Sequence, residues 1–153
     1  MDQDAVGGTL HREPLKKPRL NGRIHKRPLT ESDLIVARGK GNVYFRVSAK
    51  SPFISLLKRA KKEVVKVHTD KVDTVVLMGL SHAIEKTLSL GLRFQAMGYI
   101  IRVETETIVV KDDFEPSDVD SEWTTLNREV SLIKVRISAR SAEDKKKVLV
   151  DID

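Results

Sequence analysis

The sequence predicts a small α/β (α+β) domain of order βαβαββ, a mixed sheet with two helices on one face, and three observations point to it. An apolar run, Val75-Val76-Leu77-Met78, breaks at Gly79 into a helically patterned segment. In that segment Leu80, Ala83, Ile84, Thr87, Leu88, Gly91 and Leu92 recur at offsets of three and four, the period of one helix face. Two later stretches alternate apolar and polar residues, as a half-buried strand does.

Residues 1–41 carry Pro14, Pro18 and Pro28 and no sustained apolar period, so they read as a disordered tail. From His11 to Arg27 the tail is basic: Arg12, Lys16, Lys17, Arg19, Arg23, Lys26 and Arg27 stand against one acid, Glu13. Such an arm suits phosphate contact or nuclear import. Val43, Phe45 and Val47 share one side of the first strand. Ser51-Pro52 then opens the first helix, with serine as cap and proline where a missing N–H costs nothing. Phe53, Leu57, Ala60, Val64 and Val67 form its buried stripe.

The second strand spans residues 73–78, and the helix after it ends near residues 94–98. In the third strand, residues 99–110, Ile101, Val103, Thr105, Thr107 and Val109 alternate with Arg102, Glu104 and Glu106. In the fourth, residues 130–138, Ile133, Val135 and Ile137 lie opposite Lys134 and Arg136. Between them residues 112–129 hold six acids before any base, which predicts a long solvated loop. Residues 141–153, with Lys145-Lys146-Lys147, read as a polar C-terminal tail.

The net charge of +6 over 153 residues favours a polyanionic partner, with nucleic acid ahead of a membrane. There is no cysteine, hence no disulfide or thiolate chemistry, and no apolar run long enough to span a bilayer. Together these predict a soluble intracellular protein. Lys58, Arg59, Lys62 and Lys66 fall within an arc of about 100° on the first helix, opposite its apolar stripe. This ridge fits an ordinary solvated face or a nucleic-acid contact, and Lys50 at the helix start favours the latter. A phosphate near Ser51 would meet both free N–H groups and the Lys50 ammonium.

His11, His25, His68 and His82 lack the carboxylate pattern of a general base, and no spacing matches a metal site, so neither catalysis, a metal nor a cofactor is expected. Tyr44 and Trp123 are not embedded in an aromatic RNA-binding strand signature, so they read as anchors rather than base-stacking platforms.

Lys50-Ser51-Pro52 before the first helix and Gly79-Leu80-Ser81-His82-Ala83-Ile84 before the second, set in the βαβαββ order, resemble the Alba superfamily of nucleic-acid-binding proteins over residues 42–140. Residues 52–59, 76–79, 83–91 and 103–108 look most like the smaller Alba-type subunit of nuclear ribonuclease P and ribonuclease MRP, in its fungal members. The resemblance implies a noncatalytic protein that pairs with a larger Alba-type subunit, joins other ribonucleoprotein subunits and grips a helical arm of structured RNA. Archaeal Alba proteins typically carry two lysines before the helix-one proline and arginines flanking the second helix. Here Ser51, Leu80 and His82 replace them, which favours a specialised RNA over general DNA coating.

The expected RNA-binding residues are Lys50, Ser51, Lys58, Arg59, Lys62, His82 and Arg136. Leu88, Leu92 and Phe94 are candidates for the partner seam, with core packing as the equal alternative. The rival readings are a chromatin-type Alba homodimer on duplex DNA and a small enzyme with an unrecognised site. The expected location is the nucleus and nucleolus.

Overall fold

A computed structural model describes residues 20–35, 37–69 and 72–139. It contains β1 (Gly22–His25), α1 (Glu31–Leu34), β2 (Asn42–Val47), α2 (Phe53–Val65), β3 (Thr74–Leu80), α3 (Ile84–Ala96), β4 (Ile100–Pro116) and β5 (Thr124–Ser138). Short 3-10 turns follow α2 and precede α3. The strands form one mixed sheet in the order β1-β4-β5-β3-β2, with β2 and β3 parallel and the other pairs antiparallel. The βαβαββ core and the two helices on one face stand as the sequence predicts.

β3 lies between two strands and is covered on both faces, so Val75, Val76, Leu77 and Met78 are all fully buried. That is why it reads as a continuous apolar run rather than an alternation. Val75, Leu77, Val135 and Ile137 face α2 and α3, meeting Leu56, Ala60, Val64, Leu90 and Phe94. α3 sits close to the sheet because Gly79 and Gly91 have no side chain. A Cβ on Gly79 would lie 2.0 Å from Thr87 Oγ1, and one on Gly91 2.8 Å from Val135 Cγ1. β3 continues through Leu80, one residue beyond the predicted break, before Ser81 turns the chain at a φ of 43°.

The chain before the core departs from prediction. Residues 22–25 are a strand on the outer edge of β4, Gly22 opposite Pro116 and His25 opposite Asp113. The following residues cross the sheet face opposite the helices, where Leu34 and Ile35 pack on Val76, Met78 and Leu132. Arg46 Nη1 donates to the Leu29 carbonyl at 2.9 Å, and the Arg27 N–H donates to Asp112 Oδ1 at 3.0 Å. The strap thus covers a face that lacks helices and caps an edge that would otherwise offer unpaired main-chain groups. The predicted tail residues 1–19 and 141–153 lie outside the described residues.

The predicted acidic loop over residues 112–129 is instead mostly ribbon. β4 and β5 pair continuously from Ile100–Ser138 to Phe114–Thr124, leaving residues 117–123 as the turn. β3 ends at Leu80 opposite Leu132, so the hairpin projects roughly 25 Å further at about 3.3 Å per residue. A projecting ribbon is wet on much of both faces, which lets acids occupy strand positions. Asp112 is the exception: its side chain is buried, and Arg128 donates to both carboxylate oxygens, from Nη2 to Oδ1 at 3.1 Å.

The hydrogen bonds from Arg128 hold the Asp112 carboxyl below the ordinary carboxylate range. With the folded value depressed, the clasp is fully present above the unfolded value of about 4 and is lost as pH falls through the folded one. Asp112→Asn is therefore expected to speed hydrogen exchange at the Arg27 amide at neutral pH. The difference from the parent should shrink as the pH falls below the unfolded value and the parent carboxylate is protonated in turn. A difference that does not change with pH would count against the clasp.

Candidate nucleic-acid interface

The β2–α2 connection and the turn before α3 lie at the end of the sheet from which the hairpin projects. Lys50 is exposed there and Ser51 half-buried. Pro52, rather than Ser51, is the N-cap of α2, with φ −59° and ψ 140°, and no side chain among the described residues caps the helix. The predicted serine cap is thus absent, because the helix starts one residue later than the Ser-Pro pair suggests. Its first main-chain N–H groups remain open to an external acceptor.

Lys86 is a residue that sequence reasoning missed. Its Nζ donates to the carbonyls of Ala49 at 2.7 Å and Ser51 at 2.8 Å, tying the lysine-bearing turn to α3. His82 is exposed and lines a shallow cleft with Phe53, Glu85, Lys86 and Ser89. Helical phase places Lys86 on the α2-facing flank, which a sequence reader can find; that its targets are main-chain carbonyls leaves no residue-type signal.

Along α2, Lys58 and Lys62 are exposed and, like Lys50, enter no ion pair among the described residues. Lys66 is paired with Glu63 at 2.7 Å. Arg59 leans towards the β2 edge, its guanidinium 5.2 Å from the Phe45 ring centroid, so part of its role is packing. Arg136 does not join this surface. It follows Val135 and precedes Ile137, both turned to the helices, so it points to the opposite sheet face and pairs with Glu104 at 3.0 Å.

The seam candidates also separate. Phe94 is buried at 1% exposure, edge-on to Tyr99 with ring centroids 6.0 Å apart, so it belongs to the core. Leu88 is partly buried against that core, whereas Leu92 is 64% exposed. Val103 on β4 is half exposed on the helix side of the sheet, where no described helix covers it. Tyr44 is an anchor: its hydroxyl accepts the Gly39 N–H at 3.2 Å and donates to the Ala37 carbonyl at 3.3 Å. Trp123 stacks on His25 with ring centroids 5.0 Å apart.

This geometry lies within a recognisable sequence. Residues 40–136 match the family described as the Rpp20 subunit of nuclear RNase MRP and P. The chain belongs to the Rpp20 family. A Saccharomyces cerevisiae relative, the ribonucleases P/MRP protein subunit POP7, is 34% identical over 104 residues, covering 60% of this chain and 74% of the yeast protein. Among solved structures, ALBA1 from Trypanosoma brucei overlaps with a TM-score of 0.43 at 14% identity, covering 75% of this chain and 83% of that one. Alba from Thermoplasma volcanium gives 0.36 at 18% identity, covering 62% and 98%. Overlaps this loose say nothing about what the chain does. The family match spans the Lys50 turn, α2, the Lys86 tether and α3.

Proposed function

We propose that the chain is a noncatalytic, RNA-binding subunit of nuclear ribonuclease P and ribonuclease MRP. It pairs with a larger Alba-type subunit, and the pair holds a helical arm of the RNA component, supporting tRNA 5′-leader removal and rRNA processing in the nucleus and nucleolus. Membership of the Rpp20 family across residues 40–136 carries this reading. The uncapped start of α2, with Lys50 beside it and Lys58 and Lys62 along the same helix, supplies its chemistry. Main-chain N–H groups and ammonium groups recognise phosphates without reading base identity. A folded RNA arm is therefore selected by shape and backbone.

The test is binding to structured RNA and to duplex DNA of equal length at physiological salt. RNA should bind more tightly, with affinity falling steeply as salt rises. Equal or tighter binding to DNA would favour the chromatin-type homodimer instead.

In this reading the partner seam is the exposed flank of α3, with Leu92 at its centre and Leu88 and Val103 beside it. Apolar groups on such a flank suit the dry middle of an interface. Leu92→Glu is expected to abolish co-purification of the larger subunit while the isolated chain keeps its melting temperature, because the side chain is exposed. Normal assembly by the variant would move the seam elsewhere.

A further inference from the structure

The hairpin tip has the opposite charge to the rest of the chain. Residues 113–122 contain Asp113, Glu115, Asp118, Asp120 and Glu122 and no basic residue. An open groove beside them is lined by Arg23, Glu115, Ser117, Asp118, Val119 and Trp123. Val119 is 98% exposed and Trp123 58% exposed, so the groove combines acids with uncovered apolar surface. Such a surface repels phosphate and suits a basic peptide.

The path of the chain says which basic peptide. The Asn21 carbonyl accepts the Ser117 N–H at 3.1 Å, the Asn21 side-chain oxygen accepts the Ser117 hydroxyl at 3.2 Å, and Gly22 pairs with Pro116. The described chain therefore begins beside the hairpin tip, at Leu20 and Asn21. Residues 11–19 hold Arg12, Lys16, Lys17 and Arg19 against Glu13. A segment tethered by so few residues meets the acids at an effective concentration on the order of millimolar, where weak ionic contacts suffice.

We propose that residues 11–19 dock on this groove as an intramolecular electrostatic latch, pairing with Asp118, Asp120 and Glu122 and covering the free face of Trp123. An arginine or lysine over that indole adds a cation–π contact. The latch would occupy the tail's basic side chains, so that a polyanion must compete for them. It stands whether or not the α2 surface binds RNA.

Trp123 is the single tryptophan of the chain, so its fluorescence reports on the groove alone. The experiment is acrylamide quenching of the full chain, a tail-reversed variant (R12E, K16E, K17E, R19E), a tip-reversed variant (D118K, D120K, E122K) and the combined variant. Circular dichroism checks that each is folded. The parent should be protected at low salt, with quenching rising about twofold on adding 1 M salt, where the screening length is about 3 Å. Either single reversal should remove the protection, and the combined reversal should restore it. Equal quenching of parent and both single reversals, or no restoration in the combined variant, overturns the latch. Protection that disappears on dilution also overturns it, since contact would then be between molecules.

Discussion

Gly79→Ala is expected to lower the unfolding free energy by about 3 kcal/mol, the upper part of the range for overpacking a well-filled core. The new methyl would stand 2.0 Å from Thr87 Oγ1, 2.8 Å from Thr87 Cβ and 2.9 Å from the Ala83 carbonyl. Thr87 cannot swing aside freely, because it is fully buried and its hydroxyl donates to that same carbonyl at 2.7 Å. The first turn of α3 must therefore lift from β3, loosening the contact that places Lys86 against the Lys50 turn. Urea denaturation of parent and variant measures the loss. Adding Thr87→Ala should recover only part of it, since the Ala83 carbonyl still crowds the methyl. A variant as stable as its parent would mean that the helix can slide without cost.

Lys50→Glu combined with Lys62→Glu should weaken RNA affinity by roughly a hundredfold, because two phosphate-facing charges are lost and two repulsive ones gained. Neither lysine is buried or ion-paired among the described residues, so the fold and assembly with the larger subunit should be unchanged. The slope of affinity against salt should fall as well, because fewer counterions are released. Undiminished affinity would place the RNA on another face. Leu92→Glu, which targets assembly instead, is the natural control.

Much of the core was legible because its residues obey one period each. Val43, Phe45 and Val47 alternate onto the helix side of β2, and Leu57, Ala60 and Val64 repeat along α2. β1 was not legible, since Gly-Arg-Ile-His has no apolar alternation and becomes a strand only by pairing with β4, some ninety residues on. Acids in the hairpin read as loop because a long two-stranded ribbon and a solvated turn tolerate the same composition. Only the distant Arg128 reveals that Asp112 is inside.

The site divides in a similar way. Lys58 and Lys62 follow from helix phase and Lys50 from its place beside the helix start, whereas Arg136 was knowable from strand parity, because its neighbours Val135 and Ile137 face the helices. Phe94 needed the third dimension: Tyr99 folds back over it after the α3 terminus, which no helical wheel shows. Lys86 was the hardest to find, since its partners are carbonyl oxygens common to all residues.

That tether has an evolutionary corollary. A lysine whose hydrogen bonds end on the backbone is indifferent to the side chains of Ala49 and Ser51. Their chemistry is free to drift and retune ligand preference while the contour of the turn, dictated from the neighbouring helix, is inherited intact.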